Sequence, residues 1–188
     1  MTKLAPPPLP RRLLLAAATA LLTVTAPLAR AEQPLPVVAS FSILGDLVRV
    51  VGGERVALRT LIGPDEDAHV FTPKPADAKA LLAARLVVVN GLGFEPWADK
   101  LIQSAGYKGA TVVASQGVQA RSMEEEPGHA GHAHAQTDPH AWQNPENVVG
   151  YVRNIAAGLG KADPAGASRY TANACLLYTS PSPRDLST

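Results

Sequence analysis

The apolar positions of this chain switch repeatedly between two spacings. Val37-Val-Ala-Ser-Phe-Ser-Ile43 is apolar and β-branched and predicts a strand. Its serines lead into Leu44-Gly-Asp-Leu-Val-Arg-Val-Val51, a predicted helix that Gly52-Gly53 can end. Val56-Ala-Leu-Arg-Thr-Leu-Ile62 predicts a second strand, stopped by Gly63-Pro64, and a helix follows from Pro75 to Arg85 with Pro in its opening turn. Leu86-Val-Val-Val-Asn90 is apolar on both faces, as a central parallel strand covered by helices on both sides must be. Gly91-Leu-Gly-Phe-Glu-Pro96 turns the chain, residues 97–105 predict a helix, and Ala110-Thr-Val-Val-Ala114 predicts a fourth strand. This alternation predicts an α/β lobe, a four-stranded parallel sheet flanked by helices.

After Ser115 the pattern stops. Met123-Glu-Glu-Glu-Pro-Gly-His-Ala-Gly-His-Ala-His-Ala135 has no apolar period and predicts a solvated loop within 115–137. Helical spacing returns at Val148, Val149, Val152, Ile155 and Ala156 in a segment opened by Pro145. Asp163-Pro164 then supplies an N-cap and first-turn Pro for another helix, which the pattern carries to Ala174.

The two ends read differently from the middle. Lys3, Arg11 and Arg12 precede an apolar run from Leu13 to Ala26, and Ala29-Arg-Ala31 supplies a small-x-small cleavage pattern, so 1–31 is expected to be a signal peptide and Glu32 the mature start. A run of about 14 apolar residues is short of the roughly 20 that span a bilayer. Arg11-Arg12 leaves general and twin-arginine export both open. Residues 175–188, which begin Cys-Leu-Leu-Tyr-Thr-Ser-Pro-Ser-Pro-Arg-Asp, are similar to translated sequencing-adaptor sequence and are read as a non-native tail.

Composition narrows the function. The 188 residues are 46% hydrophobic and 18% charged, with a formal net charge of +1, which excludes a disordered or strongly basic chain. Residues 32–174 hold 12 Lys and Arg against 15 Asp and Glu, a mildly acidic balance with no footprint for nucleic acid. Cys175 is the single cysteine, so neither an internal disulfide nor a cysteine zinc site is available. Catalytic signatures are missing too: there is no Gly-x-Ser-x-Gly elbow, no phosphate loop, no dinucleotide fingerprint and no His-Glu-x-x-His.

The five histidines carry the chemistry, because neutral imidazole is the commonest protein ligand for zinc and copper. His69 lies in Gly63-Pro-Asp-Glu-Asp-Ala-His-Val-Phe-Thr-Pro73, a loop leaving the carboxyl end of a strand, where open α/β sheets place ligands. His140 stands between two prolines in Asp138-Pro-His-Ala-Trp-Gln-Asn-Pro145, with Asp138 near enough to orient an imidazole and Trp142 as a wall. His129, His132 and His134 sit on a small-residue tether. Ordering that tether costs about 1–2 kcal/mol per residue, so it predicts a weaker, auxiliary site. Two ligands of one zinc ion need nitrogens roughly 3–3.5 Å apart, so His69 and His140 are expected to converge.

Four motifs together resemble the zinc/manganese solute-binding receptors of bacterial ABC importers: Val38 to Asp46, Gly63 to Asp77, Val88 to Trp97 and Asp138 to Trp142. The resemblance covers roughly 36–174. It implies a periplasmic receptor of two α/β lobes joined by a long helix, with the metal held between them by four side chains. His69 and His140 match the two ligands of the first lobe, residues 32–144. The other two ligands would come from a second lobe that this chain lacks, and 145–174 would contain a helix and the start of the linking helix. A His-rich loop ahead of Asp-Pro-His resembles zinc-importing members, so Zn²⁺ is expected ahead of Mn²⁺. Ala68, Thr72 and Lys74 depart from residues more usual in the His69 loop. The implied partners are the permease subunits of the importer, with the receptor a monomer and not an enzyme. Two other readings use the same residues: a periplasmic zinc buffer or metallochaperone whose main site is the His-rich loop, and a secreted zinc-dependent hydrolase.

Overall fold

Two strands have no exposed residue, and they form the centre of the sheet. A computed structural model of the protein describes residues 33–122 and 137–179. Its strands are β1 (Leu35–Phe41), β2 (Val56–Ile62), β3 (Leu86–Val89) and β4 (Ala110–Val113), all parallel in the order β2-β1-β3-β4. β3 is buried at all four positions and β1 at all but Pro36, which is half-buried. The edge strands β2 and β4 keep exposed residues.

The helices are α1 (Ser42–Gly52), α2 (Pro75–Ala83), α3 (Ala98–Ser104), α4 (Pro145–Ala162) and α5 (Ala167–Thr179). α1, α4 and α5 pack on one another, while α2 and α3 pack as a second pair. The strand pleat divides the core between them. Val38, Ser40, Val87 and Val89 meet Leu81, Trp97 and Leu101 of the α2–α3 layer. On the other layer α4 comes so close to the sheet that a Cβ on Gly158 would lie 2.2 Å from Val112 Cγ2.

Differences from the predicted boundaries follow from packing. α1 starts at Ser42, directly after β1, where the sequence predicted strand through Ile43. The β1–β2 pairing ends at Phe41 and Ile62, and Leu44, Val48 and Val51 then form the buried stripe of the helix. α4 runs on to Ala162 because Leu159 is fully buried. A single 3₁₀ turn, Pro164–Gly166, precedes α5, which continues through Cys175 to Thr179 where the sequence pattern predicted a break. Leu176 and Leu177 favour helix, and the next proline is Pro181.

α5 is tied back to the lobe by polar contacts. The Arg55 guanidinium donates twice to Asp163 Oδ2, at 3.0 and 2.9 Å, and the Tyr170 hydroxyl donates to the same oxygen at 2.6 Å. Asn173 Nδ2 adds a bond to Val51 O at 2.9 Å.

Candidate metal centre

The chain passes from β1 outward to β2 and then returns to β3 on the other side of β1. Loops diverge at the carboxyl ends of β1 and β3, leaving the crevice where open α/β sheets hold ligands. His69 reaches it from the loop between β2 and α2, and His140 from the segment between β4 and α4. Their Nε2 atoms lie 3.3 Å apart although 71 residues separate them.

Each imidazole is held by its own loop. The His69 amide donates to Asp67 Oδ1 at 2.8 Å, and the preceding carbonyl, Ala68 O, accepts from Trp97 Nε1 at 2.8 Å. Asp138 Oδ1 accepts both from the His140 amide, at 2.9 Å, and from the ring Nδ1, at 2.8 Å. A carboxylate can only accept, so this contact puts the His140 proton on Nδ1 and leaves the Nε2 lone pair facing His69. These bonds, the amide's first, hold the Asp138 carboxyl below the usual carboxylate range.

Aromatic rings form the floor. Phe94 meets His69 at a centroid distance of 4.7 Å and His140 at 5.5 Å, and Trp142 lies 5.3 Å from His140. Phe41 packs behind Phe94 and Trp142, at 4.8 and 5.0 Å. Two imidazole nitrogens 3.3 Å apart on an apolar floor need a proton or a cation between them. Their separation is that of two ligands on one tetrahedral ion.

A polar network beneath the floor escaped the sequence reading of site residues. Glu95, buried at the β1–β3 junction, accepts from Ser40 Oγ at 2.5 Å, Asn90 N at 2.8 Å and Gly91 N at 3.2 Å. Burial lifts its carboxyl above the usual range, against the opposing pull of those bonds. Gly91, Leu92 and Gly93 all have positive φ, 85°, 57° and 75°, which wraps the turn around Glu95 and sets Phe94 under the imidazoles. A non-glycine residue in that region is strained. The available signal was an Asn-Gly turn directly after an apolar strand, followed by a carboxylate between Phe94 and Pro96.

His129, His132 and His134 lie outside the described residues. The ends of that excursion are joined by an antiparallel bridge between Ser122 and Thr137 and by Asp138 N donating to Arg121 O at 2.7 Å, so it leaves and returns beside His140. Among the described residues, no group of three or more His, Cys, Asp or Glu side chains is gathered that could hold a metal.

Residues 37–179 match the family model described as zinc-uptake complex component A, periplasmic. The chain belongs to this family. Among relatives of the zinc-uptake component family, the manganese-binding lipoprotein MntA of Halalkalibacterium halodurans is 37% identical over 142 residues, covering 76% of this chain and 44% of that protein. The iron-binding protein YfeA of Yersinia pestis is 31% identical over 138 residues, covering 73% and 42%. The manganese-bound periplasmic metal-binding protein of Candidatus Liberibacter asiaticus superimposes with a TM-score of 0.66 at 29% identity, over 76% of this chain and 51% of that one. The chain therefore spans less than half the length of these two curated relatives and about half of the solved structure.

Proposed function

We propose that this chain is the metal-binding lobe of a periplasmic receptor that captures a divalent transition metal and presents it to the membrane permease of an ABC importer. The convergence of His69 and His140 with Nε2 atoms 3.3 Å apart carries this reading, the two imidazoles being half of a tetrahedral shell. The remaining ligands come from a second lobe, which also closes the site to water. Relatives named for binding metals, not for a turnover, support a receptor over a hydrolase.

Zinc is the metal we assign first. Two imidazoles suit it, whereas Mn²⁺ favours carboxylate, carbonyl and water, and the auxiliary His129, His132 and His134 add further nitrogen. Manganese is the second reading, because it stands in the names of the MntA relative and of the solved structure. Competitive titration of Zn²⁺ and Mn²⁺ into the chain, its His69→Ala and His140→Ala forms and a form lacking 128–135 tests both. Each substitution is expected to weaken zinc roughly 10-fold or more, and the deletion to trim it only slightly. Binding should weaken as pH falls, because a protonated imidazole cannot ligate. Zinc affinity that survives both substitutions and disappears with 128–135 supports the buffer reading instead. Tighter manganese than zinc binding overturns the choice of metal.

A further inference from the structure

The peptide unit that carries His140 is gripped at both of its polar ends. Its N–H is held by Asp138 Oδ1. Its carbonyl, Pro139 O, accepts at 2.9 Å from Asn90 Nδ2, a side chain at the carboxyl end of central strand β3. Asn90 is fully buried, and its amide is used to the last donor: Nδ2 also donates to Gly91 O at 2.9 Å, and Oδ1 accepts from the Tyr151 hydroxyl at 2.6 Å. Tyr151, itself fully buried on α4, thereby sets which way the amide faces. Its hydroxyl stays protonated, burial and the neighbouring Glu95 carboxylate both pushing its pKa far up, so it serves as a donor to Oδ1. With the oxygen committed to Tyr151, the nitrogen must face Pro139.

We propose that Asn90 is a positioning residue for metal binding, keyed by Tyr151, and that it acts through the Pro139 carbonyl to fix the direction in which His140 presents Nε2. Asp138 alone sets the rotation of the imidazole relative to its own loop. Asn90 sets that loop relative to the sheet, and hence relative to His69, whose loop is tied separately to Trp97. Without the Asn90 contact the 138–140 turn keeps its internal bonds but loses its link to β3, and the 3.3 Å approach of the two nitrogens is no longer imposed. Orienting partners of ligands commonly alter metal affinity by about 10- to 100-fold when removed.

This proposal rests on the reading of His69 and His140 as ligands, and the experiment separates the two. The ¹⁵N resonances of the His69 and His140 imidazoles, identified by their loss in His69→Ala and His140→Ala, are followed during a Zn²⁺ titration of the full chain. Asn90→Asp keeps the shape of the side chain and the acceptor for Tyr151 but turns an oxygen toward Pro139 O. Tyr151→Phe leaves Asn90 in place but removes the donor to its Oδ1 that fixes the amide's orientation, and serves if Asn90→Asp does not fold. Expected are affinity losses of about 10-fold or more for Asn90→Asp and about 3-fold for Tyr151→Phe. In a His140→Ala background neither substitution should change the remaining affinity read at His69, because a residue acting through His140 has nothing left to act on. The same factor in both backgrounds means general destabilisation and overturns the positioning role. A loss in His140→Ala with none in either Asn90→Asp or Tyr151→Phe overturns it as well, leaving the ligand assignment standing. An unchanged affinity in His140→Ala removes both.

Discussion

Trp97 joins the core to the His69 arm through one hydrogen bond, so Trp97→Phe should register in both stability and metal binding. The indole Nε1 donates to Ala68 O at 2.8 Å, and both residues are buried, with 9% and 5% of their surface exposed. Phenylalanine keeps a ring against Phe71, now 4.8 Å from the indole, but leaves the Ala68 carbonyl without its donor. An unsatisfied buried carbonyl costs about 1–3 kcal/mol. The lost ring volume adds on the order of 1 kcal/mol, since the site lies between α2 and α3 with little room to collapse. At roughly 2–4 °C per kcal/mol for a domain of this size, the midpoint of thermal unfolding by far-UV circular dichroism should fall by roughly 4–16 °C. Zinc affinity at His69 should fall roughly 10-fold, because the bond holds the residue next to the ligand. Leu101→Ala is the control: it removes apolar contact from the same layer, destabilises by about 2–5 kcal/mol, and should leave zinc affinity nearly unchanged in protein that is still folded. A Trp97→Phe protein that melts within a degree of the parent, or that binds zinc no differently from Leu101→Ala, refutes the argument.

Two further outcomes are expected. Gly158→Ala should destabilise: the gain of about 1 kcal/mol in helix propensity is outweighed by an overpacking cost of about 1–3 kcal/mol where the new Cβ would stand 2.2 Å from Val112 Cγ2. Urea unfolding of Gly158→Ala with Val112→Ala should recover part of the loss, and purely additive losses would rule out the steric cause. Asp163 is held below the usual carboxylate range by the Tyr170 hydroxyl first and the Arg55 guanidinium second. Its stabilisation is therefore fully present above the ordinary aspartate value of about 3.9 and is lost as pH falls through the lower folded value. Stability measured between pH 5 and pH 2 should drop less steeply in Asp163→Asn than in the parent, and parallel profiles would exclude Asp163 as a source of that acid sensitivity.

The sequence by itself determined the layering and the candidate ligands. Period-two and period-3.6 patterns are local consequences of which side chains leave water, so Leu86 to Val89 could be recognised as a strand without a polar face. Gly63-Pro64 and Asp138-Pro139 marked where the chain must leave its elements, and the histidines in those loops stood out because imidazole chemistry needs no fold to be recognised. Tertiary structure decided what those residues do together. Only the order β2-β1-β3-β4 brings a loop after β2 and a segment after β4 over the same strand ends, turning a 71-residue separation into 3.3 Å. The roles of Asn90, Glu95 and Tyr151 were not legible in the sequence for the same reason, the Asn-Gly turn and the carboxylate after it marking a place and not its partners. Their roles lie in bonds to Pro139, Ser40 and Asn90, made across 49, 55 and 61 residues, and no local period records a partner that distant. The docking of α5 followed the same division, since Arg55 holds Asp163 ahead of the helix and Val51 holds Asn173 within it, both from the far side of the chain.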